Sequence, residues 1–251
     1  MPENINPGAA GGGTYVLVHG AWHGAWCWRP VQRLLEAAGA TVLTPTLTGL
    51  GDRAHLLTPD TGLRTHVTDV VATIESEDLR DVILVGHSYA GLVATGAAAL
   101  VPDRIKRLVI LDGFLPEAGE VAIDLLPERA AAHYLESARE NGGLVIDPRP
   151  LENLGVTDRR IIADLSPRLT AHPAKTYLDA VEHGLSDLPF TGQYLLCSGW
   201  ATPFTRFALR AGEAGWQVTE LDADHEVMVT NAELLVQHLL QPHDHAVRVA
   251  V

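Results

Sequence analysis

The chain has 251 residues, of which 47% are hydrophobic and 20% charged, and its formal net charge is −13. This composition is that of a globular domain with a sizeable core, with room for one insertion. The negative charge argues against nucleic acid and anionic membranes as partners, because both are bound through basic patches.

The two ends of the chain carry no folding pattern. Residues 1–13 are rich in Gly, Pro and Asn and lack a basic segment followed by an apolar one, which predicts a disordered arm rather than a signal peptide. Residues 242–251 predict a flexible tail, whose histidines we expect to be solvated, so no metal site is predicted. No apolar stretch is long enough for a membrane span. Two cysteines, Cys27 and Cys197, favour a reducing cytoplasm.

Short apolar runs alternate with helical patterns along the rest of the chain. The predicted strands are residues 14–18, 41–43, 82–85, 107–111, 193–198 and 216–221. The predicted helices are residues 30–38, 64–77, 89–100, 203–214 and 230–240. Apolar strands that alternate with helices predict a parallel sheet covered on both faces.

A long segment between the fourth and fifth predicted strands has helical patterns, such as residues 128–140 and 174–182, broken by Pro and Gly. An insertion there would lie over the carboxyl ends of the strands, where ligands bind in open α/β sheets. We therefore predict a helical cap, residues 114–188, on a core of residues 14–113 and 189–241.

The clearest chemical signal is the run VILVGHSYAG at residues 82–91, where an apolar strand leads through small residues into an Ala-rich helical pattern. This pattern is typical of a nucleophile elbow, a sharp strand-to-helix turn that exposes a serine Oγ above the sheet. Gly86, Ala90 and Gly91 avoid the clashes that so tight a turn would cause. The start of the following helix favours a developing anion. The run therefore predicts Ser88 as a nucleophile.

A nucleophilic serine needs a general base, which in this chain order follows near the C-terminus. His225 lies between the last predicted strand and the last predicted helix, on a loop at the carboxyl edge of the sheet, and is the predicted base. Near the first strand, His19 is expected to fix the loop rather than to act in chemistry. The backbone N–H groups of Ala21 and Tyr89 are the natural oxyanion donors.

Four motifs together resemble the α/β-hydrolase superfamily, and more narrowly its branch of plant methyl esterases, hydroxynitrile lyases and bacterial relatives. They are HGAWHGAWCW at residues 19–28, GLGDR at 49–53, GHSYAG at 86–91 and Asp224-His225, joined by RLTAHP at 168–173. The resemblance implies a mostly parallel eight-stranded sheet with helices on both faces, a lid, no cofactor and small, often aromatic substrates. It carries over Ser88, His225 and the two oxyanion donors. We add Trp22, His23 and Trp200 as substrate-binding candidates.

Two positions depart from the hydroxynitrile lyases of this branch. Those enzymes have a Lys directly after the catalytic His and a Thr after the first-strand His. This chain has Glu226 and Gly20 there, which argues against cyanohydrin cleavage.

The acid is a second departure. The family usually places it after the strand that corresponds to residues 193–198, where this chain reads CSGWATP without a carboxylate. The superfamily also places the acid after the preceding strand, where Asp112 stands. We therefore predict that Asp112 bonds one ring nitrogen of His225 while the other nitrogen faces Ser88. Asp222 and Asp224 are poorer candidates, since sequence neighbours of a histidine seldom reach its ring.

Three functions follow from these residues. The first is a serine hydrolase of the carboxylesterase type, acting on a small uncharged or aromatic ester through an acyl-Ser88 intermediate. The second is a non-hydrolytic enzyme with a His225–Asp112 dyad that catalyses elimination, carbon–carbon cleavage, cyclisation or cofactor-free oxygenation. The third, a ligand-binding receptor, is disfavoured by the complete set of catalytic groups. The expected partner is a small-molecule substrate, and a homodimer stays open.

Overall fold

The computed structural model describes residues 12–241. The predicted tail at residues 242–251 and nearly all of the predicted N-terminal arm therefore lie outside the described residues. Among the helices of residues 12–241, none combines the length and the apolar character that crossing a bilayer requires.

A parallel sheet forms the centre of the molecule. The strands of the described residues are β1 (Thr14–Val18), β2 (Thr41–Leu43), β3 (Val82–His87), β4 (Ile105–Leu111), β5 (Val145–Ile146), β6 (His172–Pro173), β7 (Gln193–Cys197) and β8 (Gln217–Leu221). Six of them form one sheet in the order β2-β1-β3-β4-β7-β8, with all neighbours parallel. The expectation of eight strands in this sheet is corrected: β5 and β6 have two residues each and pair only with each other, antiparallel.

Helices cover both faces of the sheet, as predicted. They are α1 (Arg29–Ala37), α2 (Leu63–Ser76), α3 (Ala90–Leu100), α4 (Glu128–Glu140), α5 (Arg159–Leu165), α6 (Lys175–Leu178), α7 (Thr205–Glu213), α8 (Val227–Thr230) and α9 (Ala232–Leu239). Successive side chains of a strand point to opposite faces. In β3, Val82 and Leu84 join one apolar core with α2 and α3, whereas Ile83 and Val85 join the other with α1 and α9.

One predicted helix is much shorter in the structure. The helical pattern at residues 174–182 gives only α6, which ends at Leu178. The Asp179 carboxylate accepts the Leu63 N–H at 3.0 Å, and Ala180 pairs with Val121 in an isolated antiparallel bridge. These tertiary contacts draw the chain out of the helix, because they outweigh its weak local propensity.

The residues between β4 and β7 lie beside the loop that follows β1. This segment, residues 114–188, is called the insert below and contains α4, α5, α6, β5 and β6. The Trp22 indole N–H donates to the Ile146 carbonyl at 3.1 Å, and the Thr170 N–H donates to the Trp22 carbonyl at 2.9 Å. These bonds hold the insert against the carboxyl edge of the sheet.

Candidate active site

The turn between β3 and α3 has the geometry of a nucleophile elbow. Ser88 has a φ of 55°, in the left-handed region that residues with a side chain rarely adopt. Its N–H donates to the Leu111 carbonyl at 3.0 Å, and its carbonyl accepts the Phe114 N–H at 3.1 Å. A Cβ added to Gly113 would lie 2.5 Å from the Ser88 carbonyl oxygen. The turn after β4 therefore packs directly against the elbow and helps to hold its strained backbone.

Three predicted side chains form a continuous chain of hydrogen bonds. His225 Nε2 lies 2.9 Å from Ser88 Oγ, and His225 Nδ1 lies 2.6 Å from Asp112 Oδ2. The two contacts are the ones predicted from the sequence, with Asp112 on one ring nitrogen and Ser88 on the other. The His225 and Asp112 side chains are almost wholly buried. β3, β4 and the loop after β8 meet at this edge, as parallel strands require.

Asp112 accepts more hydrogen bonds than the sequence indicated. Besides the bond from His225, its Oδ2 accepts the Trp200 indole N–H at 2.9 Å. Its Oδ1 accepts the Thr202 hydroxyl at 3.0 Å and the Cys197 N–H at 3.3 Å. The loop after β7, which lacks a carboxylate, thus supplies donors to the carboxylate of the neighbouring strand. The sequence did not indicate Thr202 as a site residue. The one signal was that its loop lacks the acid that the family usually places there.

Aromatic rings enclose the His225 imidazole. Phe204 stacks on it at a centroid distance of 5.6 Å, and Trp200 packs against it at 4.8 Å. The His87 ring lies 4.5 Å away, and its Nε2 donates to the His225 carbonyl at 2.9 Å. Burial holds the pKa of His87 well below its usual value. His87 is therefore a neutral ring that fixes the His225 backbone.

The loop after β1 is fixed by His19, as the sequence predicted. Its ring is fully buried, Nδ1 donates to the Gly20 carbonyl at 2.9 Å, and Nε2 accepts the Leu47 N–H at 3.0 Å. Burial lowers the pKa of His19 to about 3, which suits this neutral tautomer. Within residues 12–241, the N–H groups of Ala21 and Tyr89 have no acceptor in the protein. Both stay available for an oxyanion.

The Tyr89 side chain points away from the cavity. Its hydroxyl donates to His66 Nδ1 at 2.9 Å, while His66 Nε2 donates to the Thr48 carbonyl at 2.8 Å. Burial lowers the pKa of His66 to about 4, so this ring is a neutral acceptor. Tyr89 can therefore contribute its backbone alone to the site.

The structure separates Trp22 from His23. Trp22 lines the cavity that contains Ser88. His23 does not line it, and its placement among the substrate-binding candidates is corrected: its side chain is 2% exposed and its Nε2 lies 3.2 Å from the Glu226 carboxylate. Because Trp22 has a φ of 66°, the chain turns sharply there and sends the next side chain into the interior.

A cavity of about 580 Å³ opens at Ser88 and His225. Aromatic side chains from the core and the insert form much of its wall: Trp22, Phe114, Tyr134, Tyr177, Trp200 and Phe204. Its size suits a small organic molecule. A larger cavity, of about 970 Å³, lies between α2 and the end of the insert and contains neither Ser88 nor His225. The chemistry therefore belongs to the smaller cavity.

No group of three or more His, Cys, Asp or Glu side chains within residues 12–241 is arranged to hold a metal ion.

Comparisons with known proteins identify the family and the relatives of this chain. The profile of the alpha/beta hydrolase family matches residues 15–238. A carbendazim hydrolyzing esterase of Nocardioides sp. (strain SG-4G) is 40% identical over 90% of this chain and 98% of its own length. Methylesterase 9 of Arabidopsis thaliana is 28% identical over 92% and 98%. The solved structure of an extracellular alpha/beta-hydrolase from a Paenibacillus species superposes with a TM-score of 0.78 at 25% identity, covering 89% of this chain and 98% of that one.

Proposed function

We propose that this esterase, a member of the alpha/beta hydrolase family, cleaves small aromatic esters through an acyl intermediate on Ser88. The observation that carries this proposal is the hydrogen-bonded chain Ser88–His225–Asp112, which ends in an aromatic cavity.

Each step uses a group already in position. His225 Nε2 accepts the Ser88 proton as Oγ attacks the ester carbonyl, and the N–H groups of Ala21 and Tyr89 stabilise the oxyanion. Asp112 orients the imidazole and stabilises its protonated form. His225 then gives the proton to the departing alkoxide. Water then attacks the acyl-serine while the same ring accepts its proton. The bond between the acyl carbon and Ser88 Oγ breaks, the ring returns the proton to Oγ, and the carboxylic acid leaves.

The insert completes the binding site in this proposal. Phe114, Tyr134 and Tyr177 belong to residues 114–188 and face the same cavity as Ser88. Aromatic walls favour a flat aromatic acyl or alcohol group, because contacts between rings stabilise the complex beyond the contribution of the buried apolar area. We propose that the insert acts as the cap predicted from the sequence and selects the substrate by shape.

The lyase alternative has less support. Ser88 is within hydrogen-bond distance of the base, which an acyl-enzyme mechanism requires and a His225–Asp112 dyad does not. Glu226 is fully buried against His23, so it offers the cavity no polar group in place of the lyases' lysine. The same intact set of groups argues against a pure receptor.

A fluorophosphonate probe with a Ser88→Ala variant tests the function. We expect the probe to label Ser88, located by peptide mass spectrometry, and expect the variant to lose at least about 10⁴-fold in turnover. The ester panel contains phenyl acetate, methyl benzoate and carbendazim. Ser76→Ala, at the exposed end of α2, is the matched control. Near-wild-type turnover by Ser88→Ala would refute the acyl-serine mechanism.

We also propose a cytoplasmic location, with no nucleic acid partner. Cys27 and Cys197 are both free and buried, which suits a reducing compartment. Cell fractionation tests the proposed location. Sedimentation of the purified chain tests whether it forms a homodimer.

A further inference from the structure

The wall of the catalytic cavity carries positive charge. Arg129 lies on α4, Arg149 follows β5, and both side chains line the cavity that contains Ser88. No Asp or Glu of the described residues lines this cavity, although the chain has 31 acidic residues against 18 Lys and Arg. The cavity therefore differs in sign from the chain as a whole.

Neither arginine is neutralised by the protein. Within residues 12–241, no Asp or Glu lies within ion-pair distance of Arg129 or Arg149. Arg33 on α1 likewise has no ion pair, so the lack of a partner alone does not identify a binding site. The position inside the catalytic cavity distinguishes Arg129 and Arg149.

Arg149 is the better placed of the two. It is half-buried, whereas Arg129 is exposed. Burial raises the pKa of the Tyr134 hydroxyl, and the positive charge of Arg149 nearby opposes that rise. Tyr134 packs edge to face on Trp22 at 5.7 Å and on Tyr177 at 5.2 Å. The guanidinium thus lies beside the Tyr134 hydroxyl on the wall of the cavity.

We propose that the substrate is an aromatic ester that carries a carboxylate away from the ester bond, and that Arg149 binds this carboxylate with Arg129 attracting it at the rim. This inference rests on the proposed esterase function and specifies its substrate. A guanidinium pairs well with a carboxylate, because its two N–H groups match the two oxygens. The Tyr134 hydroxyl can add a hydrogen bond.

Matched pairs of simple esters, in which a neutral carboxamide of similar shape replaces a carboxylate, test the inference. The first pair is 4-carboxyphenyl acetate and its neutral analogue 4-carbamoylphenyl acetate, with the charge on the alcohol side. The second is methyl 4-carboxybenzoate and methyl 4-carbamoylbenzoate, with the charge on the acyl side. The measured quantity is the ratio of kcat/KM for the anionic ester to that for the neutral one.

For the wild-type protein we expect a ratio of about ten or more in at least one pair, expressed mainly in KM because the contact is present before and during reaction. Arg149→Gln should lower the ratio about tenfold, and the Arg129→Gln, Arg149→Gln double variant should bring it near one. Added salt should weaken the Arg129 contribution, since exposed charges are screened. Arg33→Gln changes the net charge equally and should leave the ratio unchanged.

The outcomes separate this inference from the proposed function. If neutral and anionic esters are cleaved equally by the wild type, or if the double variant keeps the preference, the carboxylate site is refuted while the esterase stands. If Arg33→Gln lowers the ratio as much as Arg149→Gln, long-range charge rather than a site explains the preference, and the inference again fails. If no ester of either pair is cleaved and Ser88 is not labelled by the fluorophosphonate, the esterase itself is refuted.

Discussion

Two fully buried carboxylates lie next to His225, and they are held in different ways. Asp112 accepts hydrogen bonds from His225, Trp200, Thr202 and the Cys197 N–H. The Glu226 oxygens have no hydrogen-bond partner of good geometry in the described residues, and the carboxylate is instead balanced by His23 at 3.2 Å. Asp112 is thus stabilised by fixed hydrogen-bond donors, whereas Glu226 is stabilised by His23, a partner that can lose its charge.

The pKa values of the second pair show the coupling. Burial is the largest single influence on the pKa of Glu226 and raises it, but the charge and hydrogen bonding of His23, together with His87 and His225, lower the value to about 2. Burial likewise lowers the pKa of His23, but the Glu226 carboxylate and the Ala21 carbonyl together raise the value above the usual one. Each partner thus favours the charged form of the other. The comparison supports the proposed catalytic role of Asp112, whereas Glu226 and His23 tie the His225 loop to the loop after β1.

The largest expected effect is that of Asp112→Asn, which should lower turnover about 10⁴-fold, because the amide favours the wrong tautomer of His225. The amide NH₂ would also face donors, so we expect some loss of stability, and turnover is measured at a temperature where circular dichroism shows a folded chain. Asp224→Asn is the control, since Asp224 binds the Glu226 N–H and the Thr230 hydroxyl. An equal loss in both variants would remove the distinction between them.

Glu226→Gln should reverse the pattern, with a large loss of stability and a small loss of activity. Removal of one partner of a buried ion pair costs about 3 kcal/mol, because the other charge is left uncompensated. The free energy of unfolding in urea measures this loss, and kcat is expected to fall less than about tenfold. Glu220→Gln on β8 changes an exposed side chain by the same charge. A 10⁴-fold drop in kcat with unchanged stability would show that Glu226, too, serves the chemistry.

Trp200→Phe tests one of the fixed donors of Asp112. A hydrogen bond to a charged group contributes about 1.5–3 kcal/mol, and three donors to Asp112 remain, so turnover should fall about tenfold. Trp216→Phe is the matched control, because its buried indole N–H has no partner in the described residues. If Trp200→Phe reacts at the wild-type rate while its KM rises, Trp200 acts on substrate rather than on Asp112.

The smallest expected effect is a pH dependence of the Glu226 contribution. The lowered pKa of Glu226 gives stability above its usual value of 4.5 that is lost as pH falls toward about 2. The raised pKa of His23 gives stability below its usual value of 6.5 that is lost as pH rises through the folded-state value. The difference in unfolding free energy between the wild type and Glu226→Gln should therefore be largest between the two usual pKa values, 4.5 for Glu and 6.5 for His. A difference that grows steadily up to pH 9 would contradict the ion pair.

The wild type must be compared with Glu226→Gln at each pH, because other groups titrate in the same range. Buried His19 and His66 have pKa values of about 3 and 4. Both take up protons on unfolding, so the wild type loses stability below about pH 6.5 for reasons unrelated to Glu226.

The core of the site could be predicted from the sequence because the apolar runs show where the strands end. Ser88 and Asp112 each follow a buried, mostly apolar strand, His225 follows the end of β8, and parallel strands bring their carboxyl ends to one edge. The order of the helices follows from the hydrophobic periodicity, and the elbow glycines follow from the lack of space in a tight turn. The number of strands in the sheet came from the resemblance alone and was wrong, because β5 and β6 are confined to the insert.

The contacts around these residues could not be predicted, because they depend on loop conformation. The donors Trp200 and Thr202 reach Asp112 only through the path of the loop after β7. The pairing of His23 with Glu226 joins residues far apart in the chain, and no periodicity distinguishes His23 from the other eleven of the 12 histidines. The charge on the cavity wall depends on how the insert packs, which the helical pattern of α4 does not show.

The triad joins residues that are distant in the chain, and this affects how the enzyme is made. Asp112 and His225 are 113 positions apart, and Ser88 and His225 are 137 apart. During synthesis, Ser88 and Asp112 emerge before the insert, and His225 emerges after it. A chain released between these stages would contain the proposed nucleophile and acid without the proposed base. Under the proposed mechanism, such a chain should not hydrolyse esters.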